Sequence, residues 1–289
     1  LIPVLTSMVS WLQVLNSSAC SKIYNVMSSA TNEKIHPAAI IDSRAEIAED
    51  VTVGPYSIIG PHVAIDSGTV IGPHVVIQGP TSIGNNNHLF QFSSLGEIPQ
   101  DKKYAGEKSK LIIGDNNMIR EFCTINRGTE LGEGATTIGD NNWIMAYVHI
   151  AHDCIVANNT IFSNGASIAG HVIVDDYAVL GGFTLVHQFC HIGMHSFCGM
   201  GSALNKDLPP YVIASGNLAK AYGLNKEGLR RRGYDEKLIQ VLHKAYKELI
   251  VSKNPRAEQL EKIADLIDEY QEVRILVDFI ESSERGIVR

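Results

Sequence analysis

Val51-Thr52-Val53-Gly54-Pro55-Tyr56-Ser57-Ile58-Ile59-Gly60-Pro61-His62-Val63-Ala64-Ile65 places an aliphatic side chain at every sixth residue (Val53, Ile59, Ile65), with glycine after the first two. Followed outward, the period holds for most of the chain. Toward the N-terminus it meets Ile47, Ile41 and Ile35, and toward the C-terminus Ile71, Ile77, Ile83, Leu89 and Leu95. It resumes at Ile113, Ile119 and Ile125, then runs from Ile138 through Val156, Phe162 and Leu180 to Cys198 and Leu204. Two positions before each anchor stands a small or β-branched residue such as Val51, Ser57, Thr69, Thr160, Ala166 or Ala178. Residues two apart on a strand share a face, so each unit sends one bulky and one small side chain inward. Glycine after the anchor supplies the permissive backbone of a sharp bend. Three units close a triangular coil, and coils stacked about 4.8 Å apart complete one another's parallel hydrogen bonds. A period of six does not fit an α-helix. The pattern predicts a mainly β chain, a parallel β-helix over residues 35–212 with roughly ten coils.

Two stretches break the period, Glu97–Lys110 and Glu130–Thr137. Inserted loops on a strict solenoid are where function is commonly grafted. After Pro209-Pro210 the repeat stops, and Leu238, Ile239, Val241, Leu242, Ala245, Tyr246 and Leu249 follow helical spacing. Residues 213–289 are expected to form a C-terminal helical domain that covers the open coil edge.

With 289 residues, 45% of them apolar, and a net charge of −7, the chain has no overall basic field for nucleic acid. No apolar run reaches the roughly 18 residues of a membrane span. Five cysteines without a CxxC spacing indicate neither a disulfide framework nor a zinc ribbon. Residues 1–34 read as a leader, rich in serine and almost free of charge. That composition is partly that of a transit peptide, which would place the protein in a mitochondrion, although the arginines of such peptides are missing. Without an organellar address the expected compartment is the cytoplasm.

Repeat phase separates core from surface. Cys123, Cys154 and Cys190 fall at the small inward position and Cys198 at an anchor, so packing is their expected role. None of the ten histidines in the repeat occupies an inward position, and His149, His152, His171 and His187 lie within about two coils of one another. Such a strip of imidazoles suits either a general base at neutral pH or a zinc site.

The segments His149-Ile150-Ala151-His152-Asp153-Cys154, Ala169-Gly170-His171-Val172 and Val186-His187-Gln188-Phe189-Cys190 resemble the UDP-N-acetylglucosamine O-acyltransferase family of hexapeptide-repeat proteins. So do Gln100-Asp101-Lys102-Lys103-Tyr104-Ala105-Gly106-Glu107 and Asn225-Lys226-Glu227-Gly228-Leu229-Arg230-Arg231-Arg232. The resemblance covers residues 35–289. It implies a left-handed coil, against the usual crossover rule, and transfer of an (R)-3-hydroxyacyl group from acyl carrier protein to the sugar 3-hydroxyl, the first step of lipid A biosynthesis. It implies His152 as general base, Asp153 as its orienting partner and the Gly170 N–H as oxyanion donor. Asp101, Lys103, His149, His171, His187 and Gln188 would contact the sugar nucleotide, and Asn225, Glu227, Arg231 and Arg232 its nucleotide end. Met200, where many long-chain relatives have glycine, should shorten the acyl groove; Leu218 lies at its far end. The resemblance further implies a homotrimer and no cofactor beyond the carrier thioester. Arg230–Arg232, Lys206, Lys220 and Lys226 would form a basic dock for the acidic carrier.

The main alternative on the same fold is a zinc enzyme like the γ-class carbonic anhydrases, which hold metal through histidines at subunit contacts. That class lacks the sugar loop and the arginine segment. A sister N-acyltransferase would need a further uridine-binding domain ahead of the coil. A dead scaffold would not need the His152–Asp153 pair.

Overall fold

The computed structural model describes residues 34–130 and 132–289. The leader and Cys20 therefore lie outside the described residues, apart from Lys34. Short strands, mostly two residues long, run from Ile40–Ile41 to Ala203–Leu204 and pair across three parallel sheets. Register follows the repeat: Ile41 pairs with Ile59, Ile59 with Ile77, and further on Ile150 with Ile168, Val186 and Leu204 in succession. The sheets hold nine, eight and nine parallel strands, the last joined by one antiparallel strand, so the coil count is nearer nine than ten.

The inward side chains form one continuous core. Ile59, Ile77, Leu89, Ile119, Ile150 and Leu180 are each at most 1% exposed, as are the smaller Ser57, Thr69 and Ala178 two positions before an anchor. Each buried aliphatic is worth about 1.5–3 kcal/mol. Most inward polar groups are tied to backbone. Ser57 Oγ donates to Gly72 O at 2.7 Å, and Thr69 Oγ1 to Gly84 O at 2.9 Å. Asn87, Asn117 and Asn142 take the same position and form a ladder, each side-chain oxygen accepting the backbone N–H of the next rung. That ladder repays the desolvation of three buried amides.

Across both breaks the anchors stay paired, Leu95 with Ile125 and Ile125 with Ile150, and the register shifts once, between Leu95 and Glu97 where the first loop leaves. After the second, the strand resumes at Ala135, two residues before the expected end of the loop. Beyond Pro210 the strand Val212–Ser215 continues one parallel sheet and turns back through Lys220–Leu224 as an antiparallel edge. Helices then follow: α1 (Lys226–Arg231), α2 (Glu236–Tyr246, continued by a π-turn over Lys247–Val251), α3 (Arg256–Lys262), α4 (Ala264–Glu269) and α5 (Gln271–Ser282). Leu242, Ala245, Leu249, Val273 and Leu276 extend the core into this region. The tail returns to the coil, where Ser283 Oγ donates to Asp207 Oδ2 and Asp207 bridges to Ile287. Among the described residues no helix is long and apolar enough to cross a membrane.

Candidate active site

Each coil has three corners. One lies between the strands ending at Ile150 and Val156 and recurs one coil on between Ile168 and Ile173. Asp153, His171 and Phe189 stack there with positive φ of 59°, 61° and 62°. The left-handed backbone turns each side chain out along the corner, one above the next. His171 lies flat on Phe189 with ring centroids 4.5 Å apart, and meets His152 edge-on at 5.2 Å.

Asp153 is the fixed point of the cluster, with a side chain only 1% exposed. Its Oδ1 accepts the Thr129 backbone N–H at 2.8 Å, and its Oδ2 accepts the Thr129 hydroxyl at 2.7 Å. Its own N–H donates to Thr136 Oγ1. His152 Nδ1 is 2.8 Å from the same Oδ2. A carboxylate only accepts, so Nδ1 donates the proton and Nε2 keeps its lone pair. Gly170 lies against this ring on the Cε1–Nε2 side, and its N–H bonds to no acceptor among the described residues. A β-carbon on Gly170 would sit 2.6 Å from His152 Cε1 and 2.7 Å from Nε2, so only glycine leaves room for the ring.

Burial pushes His171 below its ordinary value, while the charge of Asp153 and, more weakly, of Asp101 opposes it. Asp101 stands in the first inserted loop. The Lys103 N–H donates to its carboxylate at 3.0 Å. Burial, then His152, lowers His149, whose Nδ1 is 2.8 Å from Thr124 Oγ1. His187 and Gln188 are exposed one coil further, with Arg285 Nη2 3.2 Å from His187 Nδ1.

His152, Asp153 and His171 also offer three ligand atoms within 4.8 Å. The set is mixed, and Asp153 Oδ2 is already engaged by Thr129 and His152. That arrangement orients an imidazole better than it closes on a cation.

The remaining expected residues do not share this corner. Arg232 lies over the Tyr177 ring at 4.4 Å, on a corner where Tyr177, His195 and Tyr211 stack. Asn225 caps α1, accepting the Gly228 N–H, and its amide holds His195 O at 2.9 Å. Glu227 pairs with Arg231 at 3.2 Å, and Arg230 with Glu236, so two of the three arginines are locally neutralised. Met200 is exposed at the third corner, and Leu218 follows Asn217, which bridges to Ala203 nearby. The site residues are therefore divided among three edges of one prism. Sequence reasoning passed over Thr129, Thr136, Arg285 and Tyr177. Only the break in the period at 130–137 signalled that Thr129 stands apart from the coil.

The four cysteines of the coil are buried as their phase requires. Burial raises Cys123 and Cys154 to about 12 and Cys190 to about 11. No thiolate nucleophile is available there.

Comparison with known proteins places this geometry in a family. Residues 207–288 match the family model of the second domain of Udp N-acetylglucosamine O-acyltransferase, and residues 135–170 that of the bacterial transferase hexapeptide. The acyl-(acyl-carrier-protein)–UDP-N-acetylglucosamine O-acyltransferase of Thiobacillus denitrificans is 57% identical, covering 88% of this chain and 99% of its own. The chain belongs to the UDP-N-acetylglucosamine O-acyltransferases. The solved UDP-N-acetylglucosamine acyltransferase family member LpxA of Acinetobacter baumannii superposes with a TM-score of 0.86 at 47% identity, covering 89% of this chain and all of that one. The Arabidopsis UDP-N-acetylglucosamine acyltransferase gives 0.69 at 32% identity, covering 88% of this chain and all of its own. His152, Asp153 and Gly170 fall within the hexapeptide match, and the helical domain within the acyltransferase-domain match.

Proposed function

We propose that this chain transfers an (R)-3-hydroxyacyl group from an acyl carrier protein thioester to the 3-hydroxyl of UDP-N-acetylglucosamine, the opening step of lipid A biosynthesis. The observation that carries the reading is the His152–Asp153 pair, with Gly170 packed against the imidazole. A relative 57% identical bears the name of that activity.

In the proposed mechanism His152 Nε2 takes the proton of the sugar 3-hydroxyl as its oxygen attacks the thioester carbonyl. The imidazolium that forms is held through Nδ1 by Asp153. Charge developing on the carbonyl oxygen meets the unpaired N–H of Gly170. Collapse breaks the C–S bond, and the departing thiolate recovers the proton from His152. The ester and the free carrier thiol are the products, with no other reagent consumed.

The nucleotide would be bound by Asn225, Glu227, Arg231 and Arg232, and the sugar by Asp101 and Lys103 with His149, His171, His187 and Gln188. Because these lie on different corners, about 15 Å of strand apart, a cleft between two copies is the economical way to unite them. A homotrimer meets that need and offers three equal clefts. Docking of an acidic carrier falls to Lys206, Lys220, Lys226 and Arg232, the cations outside the Glu227 and Glu236 pairs. Incubation with UDP-N-acetylglucosamine and carrier-bound 3-hydroxyacyl donors of graded length, followed by mass analysis of the sugar nucleotide, tests the reading. A product heavier by one 3-hydroxyacyl group supports it; an unaltered sugar nucleotide with every donor refutes it.

A further inference from the structure

The segment Asn126-Arg127-Gly128-Thr129 leads into the second inserted loop and touches both halves of the candidate site. On one side it ties down the first loop. Asn126 Nδ2 donates to Ile98 O at 2.8 Å, the Arg127 N–H to Glu97 O, and the Gly128 N–H to Lys110 O, so both ends of that loop are stitched to it. Arg127 also reaches the middle of the loop, donating to the Tyr104 hydroxyl at 3.0 Å. On the other side Thr129 grips Asp153 through backbone and hydroxyl together.

The two-point grip has a specific consequence. One donor alone would leave the Asp153 carboxylate free to swing about its χ2 axis. With Oδ1 and Oδ2 each bound to Thr129, the carboxylate plane is set, and so is the lone pair of Oδ2 that receives His152 Nδ1–H. Thr129 is 2% exposed, so water does not replace its hydroxyl. Gly132 closes the cradle from the loop side, since a β-carbon there would come within 2.4 Å of Asp153 Oδ1.

We infer that Thr129 is a positioning residue for the His152–Asp153 pair and that Arg127, two residues earlier, positions the loop of Asp101 and Lys103, so that one segment sets the base against the sugar site. The inference rests on the acyltransferase reading for its kinetic arm only. A spectroscopic arm is independent of it: the Nδ1 proton shared between His152 and Asp153 should give a far-downfield proton resonance, identified by its absence in Asp153→Asn.

Thr129→Val keeps shape and backbone while deleting the hydroxyl donor. It is expected to lower kcat about tenfold or more, to leave KM for the sugar nucleotide within about twofold, and to move or broaden the downfield resonance. Thr129→Ser should restore both, which a loss of packing alone would not explain. Arg127→Met should raise KM for the sugar nucleotide several-fold and leave the resonance in place. A Thr129→Val protein with wild-type kcat and an unmoved resonance overturns the inference. If the resonance moves as described but the wild-type protein acylates no sugar nucleotide, the substrate reading fails and the positioning role stands.

Discussion

Gly170 and His152 face each other so closely that a β-carbon on Gly170 would lie 2.6 Å from the imidazole Cε1. The contact is with side-chain rather than backbone atoms, so alanine at 170 displaces the ring from Asp153 rather than the coil. Gly170→Ala is therefore expected to retain the melting temperature and lose about 10²-fold in kcat, the usual cost of a misplaced catalytic group. Paired thermal melting and steady-state kinetics check this. Equal loss of stability and activity would point to a structural role instead.

The acyl end of the site should be tunable without touching the base. Met200 is 73% exposed and Leu218 56%, two large apolar side chains that a hydrocarbon chain can cover. The wild-type protein is expected to prefer a medium-length 3-hydroxyacyl donor, and Met200→Gly to shift the preference toward longer chains. Competition assays with graded carrier-bound donors read this directly. A wild-type optimum at the longest donor would contradict the assignment.

His195 makes stability depend on pH. Burial, and then the charge of Arg232, depress its pKa from 6.5 to about 4, with Asp176 opposing. Below about 6.5 the unfolded chain binds a proton that the folded one refuses until about 4. Stability present above 6.5 is thus lost as the pH falls through that window. Phenylalanine occupies the same left-handed turn at Phe92, Phe122, Phe183 and Phe189, so His195→Phe is tolerable there. Its melting temperature should fall less between pH 6.5 and 4 than that of the wild type. Parallel slopes for the two proteins would contradict this.

Thiol chemistry gives a simple check on the core. Iodoacetamide at neutral pH should leave Cys123, Cys154, Cys190 and Cys198 unlabelled in the folded protein and label all four after denaturation. Rapid labelling with loss of activity would mean a reactive thiol in the mechanism.

Much of this molecule is legible in its sequence because two periodicities coincide. The six-residue period fixes the coil, and the two-residue alternation within it sends Cys123 and Cys154 inward and His152 outward. Stacking then brings His152, Gly170 and His171 to one corner by counting alone. What counting does not reach is anything that crosses an insertion. Thr129 meets Asp153 only because the second loop folds back on the corner, and a break in period carries no instruction about where its residues go. The placement of Arg232 over Tyr177 was equally hidden, since it depends on how α1 docks against the coil end rather than on the phase of either.

The central claim is that His152, oriented by Asp153, removes the proton from the acceptor hydroxyl. The most direct test compares wild type and His152→Ala for transfer from a carrier-bound 3-hydroxyacyl donor to UDP-N-acetylglucosamine. The account predicts robust product with the wild type and a kcat about 10²–10⁴ lower in the folded variant. Near-normal turnover by His152→Ala would contradict it.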